Sequence, residues 1–192
     1  MTGTALLVMD VQNGIVERIA AGAPPLLEAL GRAITGARTA DVPVVYVRVA
    51  FRPGAPEISP RNKAFAAAAA SGAMPIDDAS TEVHAAVAPE PGEVLVTKKR
   101  VSAFAGSDLD VVLRALDVDT LVLTGIATSG VVLSTLRMAA DLDYELTVLR
   151  DACADGDEDV HRVLMDKVFP RQAAVMPTDQ WMAQLPRDPQ GR

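Results

Sequence analysis

Three positions in this sequence carry groups that could do acid–base chemistry together. Asp10 follows an apolar run at residues 4–9, and Lys98 follows a second run at residues 93–97. A third run, residues 120–124, leads into a Gly-containing turn that opens a helix. A carboxyl group held near an ammonium group can transfer protons, because each charge sets the ionisation of the other. An Asp beside a Lys can equally be a solvated ion pair that contributes little, so the pair alone does not establish a site.

The elements that would position these groups alternate between strands and helices. The predicted strands are residues 4–9, 43–49, 93–97, 120–124, 145–149 and 173–176. The predicted helices are residues 25–40, 61–71, 80–87, 108–116, 128–140, 158–169 and 179–185. A turn is predicted over residues 10–14, and Thr128 or Ser129 is expected to cap the helix that begins at residue 128. Such alternation predicts a three-layer α/β/α fold of the Rossmann type, with a mostly parallel six-stranded sheet and right-handed crossovers. Ligands of such folds bind at the carboxyl ends of the strands, where the three groups are expected.

Length and composition narrow the class of protein. The 192 residues predict a single domain over residues 1–186 and a frayed tail at residues 187–192. The net charge of −7 argues against nucleic acid or an anionic membrane as a partner. One cysteine excludes an internal disulfide and favours a cytoplasmic location, and no apolar run reaches the roughly 18 residues of a membrane span. We therefore expect a small-molecule substrate and no nucleic-acid or membrane partner.

Three sequence blocks carry a resemblance to a known family. They are LLVMDVQNG, KKRVSAFAGSDLD and LVLTGIATSGVVLSTLRMAADLDYELTVLRDACAD. In this order they resemble the isochorismatase-like hydrolases, or cysteine hydrolase superfamily, which includes nicotinamidases, N-carbamoyl amide hydrolases and isochorismatases. The resemblance extends over residues 4–177. It implies a six-stranded parallel sheet, hydrolysis of a small metabolite without a cofactor, and assembly as a homodimer or homotetramer.

The resemblance also implies a catalytic triad of Asp, Lys and Cys. Its first two members fall on Asp10 and on Lys98, with Lys99 as the alternative if the alignment slips by one residue. The family's turn, G-x-x-T-x-x-C, places Val131 where the nucleophilic cysteine would be. Valine has no nucleophilic atom, so a thioester cannot form at this position. The sole cysteine, Cys153, follows the strand at residues 145–149 and is interpreted as a packing residue.

Two hypotheses remain for a member without the thiol. Isochorismatases also lack this cysteine, and in them a carboxylic acid protonates an enol ether carbon before water adds. By resemblance, Asp10 would be the general acid or base, and Lys98 would set its pKa and bind substrate anions. The substrate would then be a vinyl ether or an amide. The alternative is a non-catalytic member that binds a small molecule or serves as an assembly subunit, with Val131 filling the pocket.

Further site residues follow from the turn and from the loops. The resemblance implies an oxyanion-type turn formed by Ile126, Ala127 and Gly130, with a cis peptide between the first two. Residues Gln12, Arg52 and Phe104 are predicted to contact the substrate, since an arginine fork suits carboxylates.

The histidines and the metal sites of some relatives lead to a second group of expectations. His84 and His161 fall on polar faces of predicted helices, and both are expected at the surface. The Asp and two His that bind metal in some relatives, near the second strand, are absent from that region. No metal and no other cofactor is therefore expected.

Overall fold

The computed structural model describes residues 3–70, 72 and 74–186, and the predicted tail at residues 187–192 lies outside these. The six strands are β1 Gly3–Met9, β2 Val44–Val49, β3 Val94–Lys98, β4 Val118–Ile126, β5 Glu145–Ala154 and β6 Ala174–Met176. The α-helices are α1 Asn13–Val16, α2 Ala23–Thr39, α3 Lys63–Ala70, α4 Leu109–Ala115, α5 Leu133–Asp141, α6 Glu158–Val163 and α7 Thr178–Met182. None of the helices among the described residues is both long and apolar enough to span a membrane.

The six strands form one sheet in the order β3-β2-β1-β4-β5-β6, and every pair of neighbours is parallel. The apolar faces of α4 and α5 pack on one side of the sheet, and those of α2 and α7 pack on the other. The predicted three-layer α/β fold is confirmed. The strand order reverses between β1 and β4, and ligands of open parallel sheets bind at the carboxyl ends of the strands beside such a reversal.

Several local predictions are wrong, each for a physical reason. The stretch after Asp10 is not a simple turn, because residues 13–16 form the short helix α1. The polar helix predicted near residues 80–87 is two single 3₁₀ turns, separated by a bridge from Val83 to Gln12. Strand β5 continues to Ala154 by pairing with the end of β4, so Cys153 lies inside a strand instead of after it.

Glycine is required where β4 passes β1. Gly125 has a φ of +131°, and a Cβ atom there would lie 2.0 Å from the carbonyl oxygen of Met9. No larger residue fits without moving one of the two central strands. This close approach brings the turn after β4 against the residue that follows Met9, which is Asp10.

Candidate active site

A cavity of about 350 Å³ opens at the carboxyl ends of β1 and β4, where the strand order reverses. Its charged lining residues are Asp10, Arg18 and Lys98. The rest of the lining is apolar side chains and glycines from strand ends, helices, loops and the turn after β4: Ile15, Ile19, Val49, Phe65, Met74, Val101, Ile126, Ala127, Gly130, Val131 and Gly156. The volume lies near the lower end of the roughly 300–1,000 Å³ typical of ligand pockets, which suits a small metabolite.

The side chains of Asp10 and Lys98 meet in this cavity. The Lys98 Nζ lies 2.9 Å from Asp10 Oδ2, and the two side chains are only 2% and 8% exposed, respectively. Because β2 separates β3 from β1, the Lys98 side chain reaches across the end of β2 to make this contact. A further hydrogen bond from Nζ to the carbonyl oxygen of Arg100, at 3.0 Å, fixes the ammonium group. The two charged groups predicted from the ends of separate strands are thus in direct contact.

The second carboxylate oxygen of Asp10 has a different environment. Asp10 Oδ1 is buried and has no hydrogen-bond partner within the described part of the chain, although the residue lines the cavity. Burial raises the pKa of Asp10 to about 6, and the opposing charge and hydrogen bond of Lys98 limit the rise. A carboxyl group of this pKa is about one-tenth protonated at pH 7. It can therefore give a proton to a ligand or take one from it near neutral pH.

The neighbouring lysine does not share this position. Lys99 donates a hydrogen bond to the carbonyl oxygen of Ala50 and lies 3.9 Å from Glu57, outside the cavity lining. Burial lowers the pKa of Lys99, while Glu57 opposes the change. Of the two alignments that the sequence allows, only the one with Lys98 brings a lysine to Asp10.

The turn after β4 contains the cis peptide between Ile126 and Ala127 that the family resemblance implies. It continues as one wide helical turn over Thr128–Val132, interrupted at Gly130, whose backbone is not helical. The Gly130 N–H donates to the Ala127 carbonyl oxygen at 3.0 Å. That amide is engaged within the turn, in contrast to the expectation that Gly130 offers it to a substrate oxygen.

Neighbouring elements hold this turn in place. Thr128, expected to cap the helix, makes no such bond, and its Oγ1 lies 2.8 Å from Nδ1 of His161 on α6. The Ser129 N–H donates to Asp155 Oδ2 at 2.7 Å. His161 is half-buried, which corrects its assignment to the surface, and burial together with the nearby Arg150 lowers its pKa. His84 caps a short helical turn by accepting from the Ala86 N–H.

Val131 and Cys153 occupy separate places. Val131 lines the cavity beside the Asp10–Lys98 pair and is 2% exposed. Cys153 pairs with Gly125 in the sheet, and its Sγ lies 3.8 Å from the carbonyl oxygen of Leu123, outside the cavity lining. Burial raises the pKa of the Cys153 thiol, which keeps it protonated and unreactive. The only thiol of the chain is therefore not available to a ligand in this cavity.

The three residues predicted to contact the substrate all lie outside the cavity lining. The amide of Gln12 is used internally, with bonds to the backbone of Val49 and Thr81. Arg52 is exposed and paired with Glu57 at 2.9 Å. Phe104 is buried in the core against Tyr144. Their side chains have structural partners that the sequence alone does not reveal.

Other lining residues were not anticipated from the sequence. Arg18 follows α1 in a 3₁₀ turn. Phe65 is the one aromatic residue of α3, a helix whose alanine-rich sequence does not indicate a binding role. Met74 and Val101 lie in irregular segments. Of these residues only Arg18 is charged. A charged residue eight positions after Asp10, on the segment that follows β1, is the one sign in the sequence that could have identified a further site residue. Within the described ranges, no three His, Cys, Asp or Glu side chains are placed to hold a metal ion.

Comparisons with known proteins agree with this architecture. Residues 4–180 match the model of the isochorismatase domain. The chain is 33% identical to an uncharacterised isochorismatase family protein of Bacillus subtilis, over 95% of this chain and 94% of the other. It is 34% identical to a ureidoacrylate amidohydrolase of Methylobacterium radiotolerans, over 86% of this chain and 72% of the relative.

Two solved structures illustrate the likeness in three dimensions. A cysteine hydrolase from Pseudomonas syringae pv. phaseolicola has a TM-score of 0.88 at 26% identity, with 95% of this chain and 92% of that chain covered. The N-carbamoylsarcosine amidase of Thermoplasma acidophilum has a TM-score of 0.75 at 28% identity, with 93% and 98% covered.

Proposed function

The chain belongs to the isochorismatase family, and from this premise we propose that it hydrolyses a small metabolite by proton transfer from Asp10, with water instead of a cysteine as the nucleophile. One observation carries the proposal. Asp10 is buried and holds Lys98 with one oxygen, while its second oxygen has no partner among the described residues and the residue lines the cavity. A buried ion pair is seldom more stable than apolar packing of the same volume, so its presence in a ligand-sized cavity favours a chemical role.

The proposed reaction is the hydrolysis of a vinyl ether. Protonated Asp10 gives its proton from Oδ1 to the terminal alkene carbon, which leaves a positive charge shared between the ether oxygen and the adjacent carbon. Lys98 stabilises the Asp10 carboxylate that forms. Water adds to the charged carbon and returns a proton to Asp10, and the hemiketal then collapses to a ketone and an alcohol. Bonds and protons balance without any covalent intermediate on the protein.

The lining of the cavity favours this reaction over cleavage of an amide. Val131, at the position aligned with the cysteine, offers no nucleophile, and the Gly130 N–H is engaged within its own turn. Amide hydrolysis needs a nucleophile and donors for the developing oxyanion, whereas protonation of an enol ether carbon needs chiefly an acid of suitable pKa. The amide substrates of the ureidoacrylate and N-carbamoylsarcosine relatives are therefore the second candidates.

The experiment that tests this function is a turnover screen with purified protein. The panel contains two vinyl ethers, the doubly charged isochorismate and the singly charged 2-phenoxyacrylate, with ureidoacrylate, N-carbamoylsarcosine and nicotinamide as amides. We expect turnover of at least one vinyl ether by the wild type, at a rate that is unchanged within about threefold in Cys153→Ala, since this thiol takes no part. Treatment with iodoacetamide should likewise leave the rate unchanged.

Two outcomes of the screen would contradict the proposal. Amide turnover that disappears in Cys153→Ala would place the chemistry at the thiol. No turnover of any substrate by well-folded protein would favour the non-catalytic hypothesis, in which Asp10 and Lys98 are an inert pair and Val131 closes the pocket. A circular dichroism spectrum of each variant provides the control for folding.

A further inference from the structure

The cavity has three charged lining residues, and only one of these charges is uncompensated. Asp10 and Lys98 neutralise each other at 2.9 Å. Arg18 also lines the cavity, and within the described part of the chain it has neither an ion pair nor a side-chain hydrogen bond. By contrast, Arg52, the arginine that the sequence favours, is bound to Glu57. In a chain with a net charge of −7, an unpaired guanidinium at a cavity is a specific local attraction for an anion.

The backbone directs Arg18 toward this cavity. The helix α1 continues into the 3₁₀ turn Glu17–Gly22, so residues three and four apart share one face. Ile15, Arg18 and Ile19 follow this spacing, and all three line the cavity. The exposed guanidinium is therefore on the same face as two apolar side chains of the wall. It also borders a smaller cavity of about 130 Å³ that adjoins this face.

The remaining surface of the cavity defines the rest of the ligand. The uncharged side chains that line the cavity are all apolar, and they include Ile15, Ile19, Phe65, Met74 and Val101. A ligand with several charges or hydroxyl groups would leave polar groups unpaired against such a wall. A ligand with one anionic group and an apolar body would satisfy both the guanidinium and the wall.

We propose that Arg18 determines specificity by binding the carboxylate of a substrate that carries a single negative charge and an apolar body. The guanidinium presents two parallel N–H donors, which match the two oxygens of a carboxylate. With the carboxylate at Arg18, the apolar body lies along the wall and the reacting atoms extend toward Asp10. The inference rests on the proposed function for the identity of the ligand as a substrate, but the binding itself needs no turnover.

The test uses two probes of nearly the same size and shape, the anion benzoate and the neutral benzamide, with binding measured by isothermal titration calorimetry. We expect benzoate to bind the wild type at least about tenfold more tightly than benzamide, the effect typical of a hydrogen-bonded charged pair. The Arg18→Gln variant should lose this preference by weakening benzoate binding alone. The matched Arg52→Gln variant should retain it, because Arg52 lies outside the cavity lining.

The outcomes separate this inference from the proposed function. Absence of benzoate binding to the wild type, or equal benzoate affinity in the wild type and Arg18→Gln, would overturn the role of Arg18 even if an Asp10-dependent turnover were found. An Arg18-dependent preference for benzoate in a protein that hydrolyses nothing would support the binding role and reject catalysis. Because Arg18 is exposed, Arg18→Gln is expected to fold, and its thermal transition serves as the control.

Discussion

Replacement of Asp10 by asparagine should lower kcat by about 10²- to 10⁴-fold, the range typical of the loss of a general acid. The amide keeps the size of the side chain and can still accept a hydrogen bond from Lys98, but it cannot donate a titrating proton. Asp10 has a φ of 57°, and asparagine adopts this left-handed backbone as readily as aspartate. The loss should therefore appear in kcat, with KM changed far less, when steady-state kinetics are measured on the substrate that the screen identifies.

The matched control is Asp41→Asn. Asp41 has a φ of 53° and is exposed between α2 and β2, at the edge of the sheet opposite the cavity. The same substitution there should leave kcat within about twofold, as expected for a surface change away from any site. A kcat for Asp10→Asn above about one-tenth of the wild-type value would remove Asp10 from the proton-transfer role.

Replacement of Lys98 by methionine should destabilise the protein in a pH-dependent manner. The apolar side chain leaves the Asp10 carboxyl buried without its ionic partner, which typically costs about 3–5 kcal/mol of unfolding free energy. Since Lys98 is what lowers the pKa of Asp10, its removal should raise that pKa above about 6. The folded variant then binds a proton that the unfolded chain, with a pKa near 3.8, has released, so its stability falls as the pH rises between these two values.

Urea unfolding at pH 5 and at pH 8 measures this difference. We expect Lys98→Met to lose more stability relative to the wild type at pH 8 than at pH 5, and to be a poorer acid because it holds its proton more tightly. The control is Lys99→Met, which removes the same charge from the adjacent residue, outside the cavity lining. Equal losses at the two pH values would show that Lys98 acts through packing, without setting the ionisation of Asp10.

The places of Asp10 and Lys98 at strand ends could be predicted, because a short apolar run in the local sequence indicates a buried strand and where it ends. Asp10 and Lys98 each end an apolar run, and parallel strands bring such ends to one edge of the sheet. The sequence does not contain the strand order, so it could not show that Lys98 reaches past β2 to Asp10. The resemblance supplied that pairing, and the geometry agrees with it.

The substrate contacts could not be predicted, because a polar side chain gives no sign of its partner. The Gln12 amide donates hydrogen bonds to the carbonyl oxygens of Val49 and Thr81, which are distant in the sequence. Arg52 forms an ion pair with Glu57 on the same loop. The helix α1 has only four residues, too few for a periodic pattern, so the sequence predicts only a turn at residues 10–14 and no element that would place Arg18 at the cavity. The sequence likewise showed His161 as one polar residue on a helix, whereas its contact with Thr128 depends on how α6 lies against the turn.

The pH dependence of kcat tests most directly the claim that Asp10 is the general acid, because it reports which protonation state of Asp10 is active in catalysis. As the proton donor, Asp10 must be protonated, and its pKa is raised to about 6. The account predicts that kcat is highest below pH 6 and falls tenfold per pH unit above it, with a single ionisation. A rate that rises through pH 6 would make Asp10 a base, and a rate that does not change through pH 6 would remove Asp10 from the proton transfer and contradict the account.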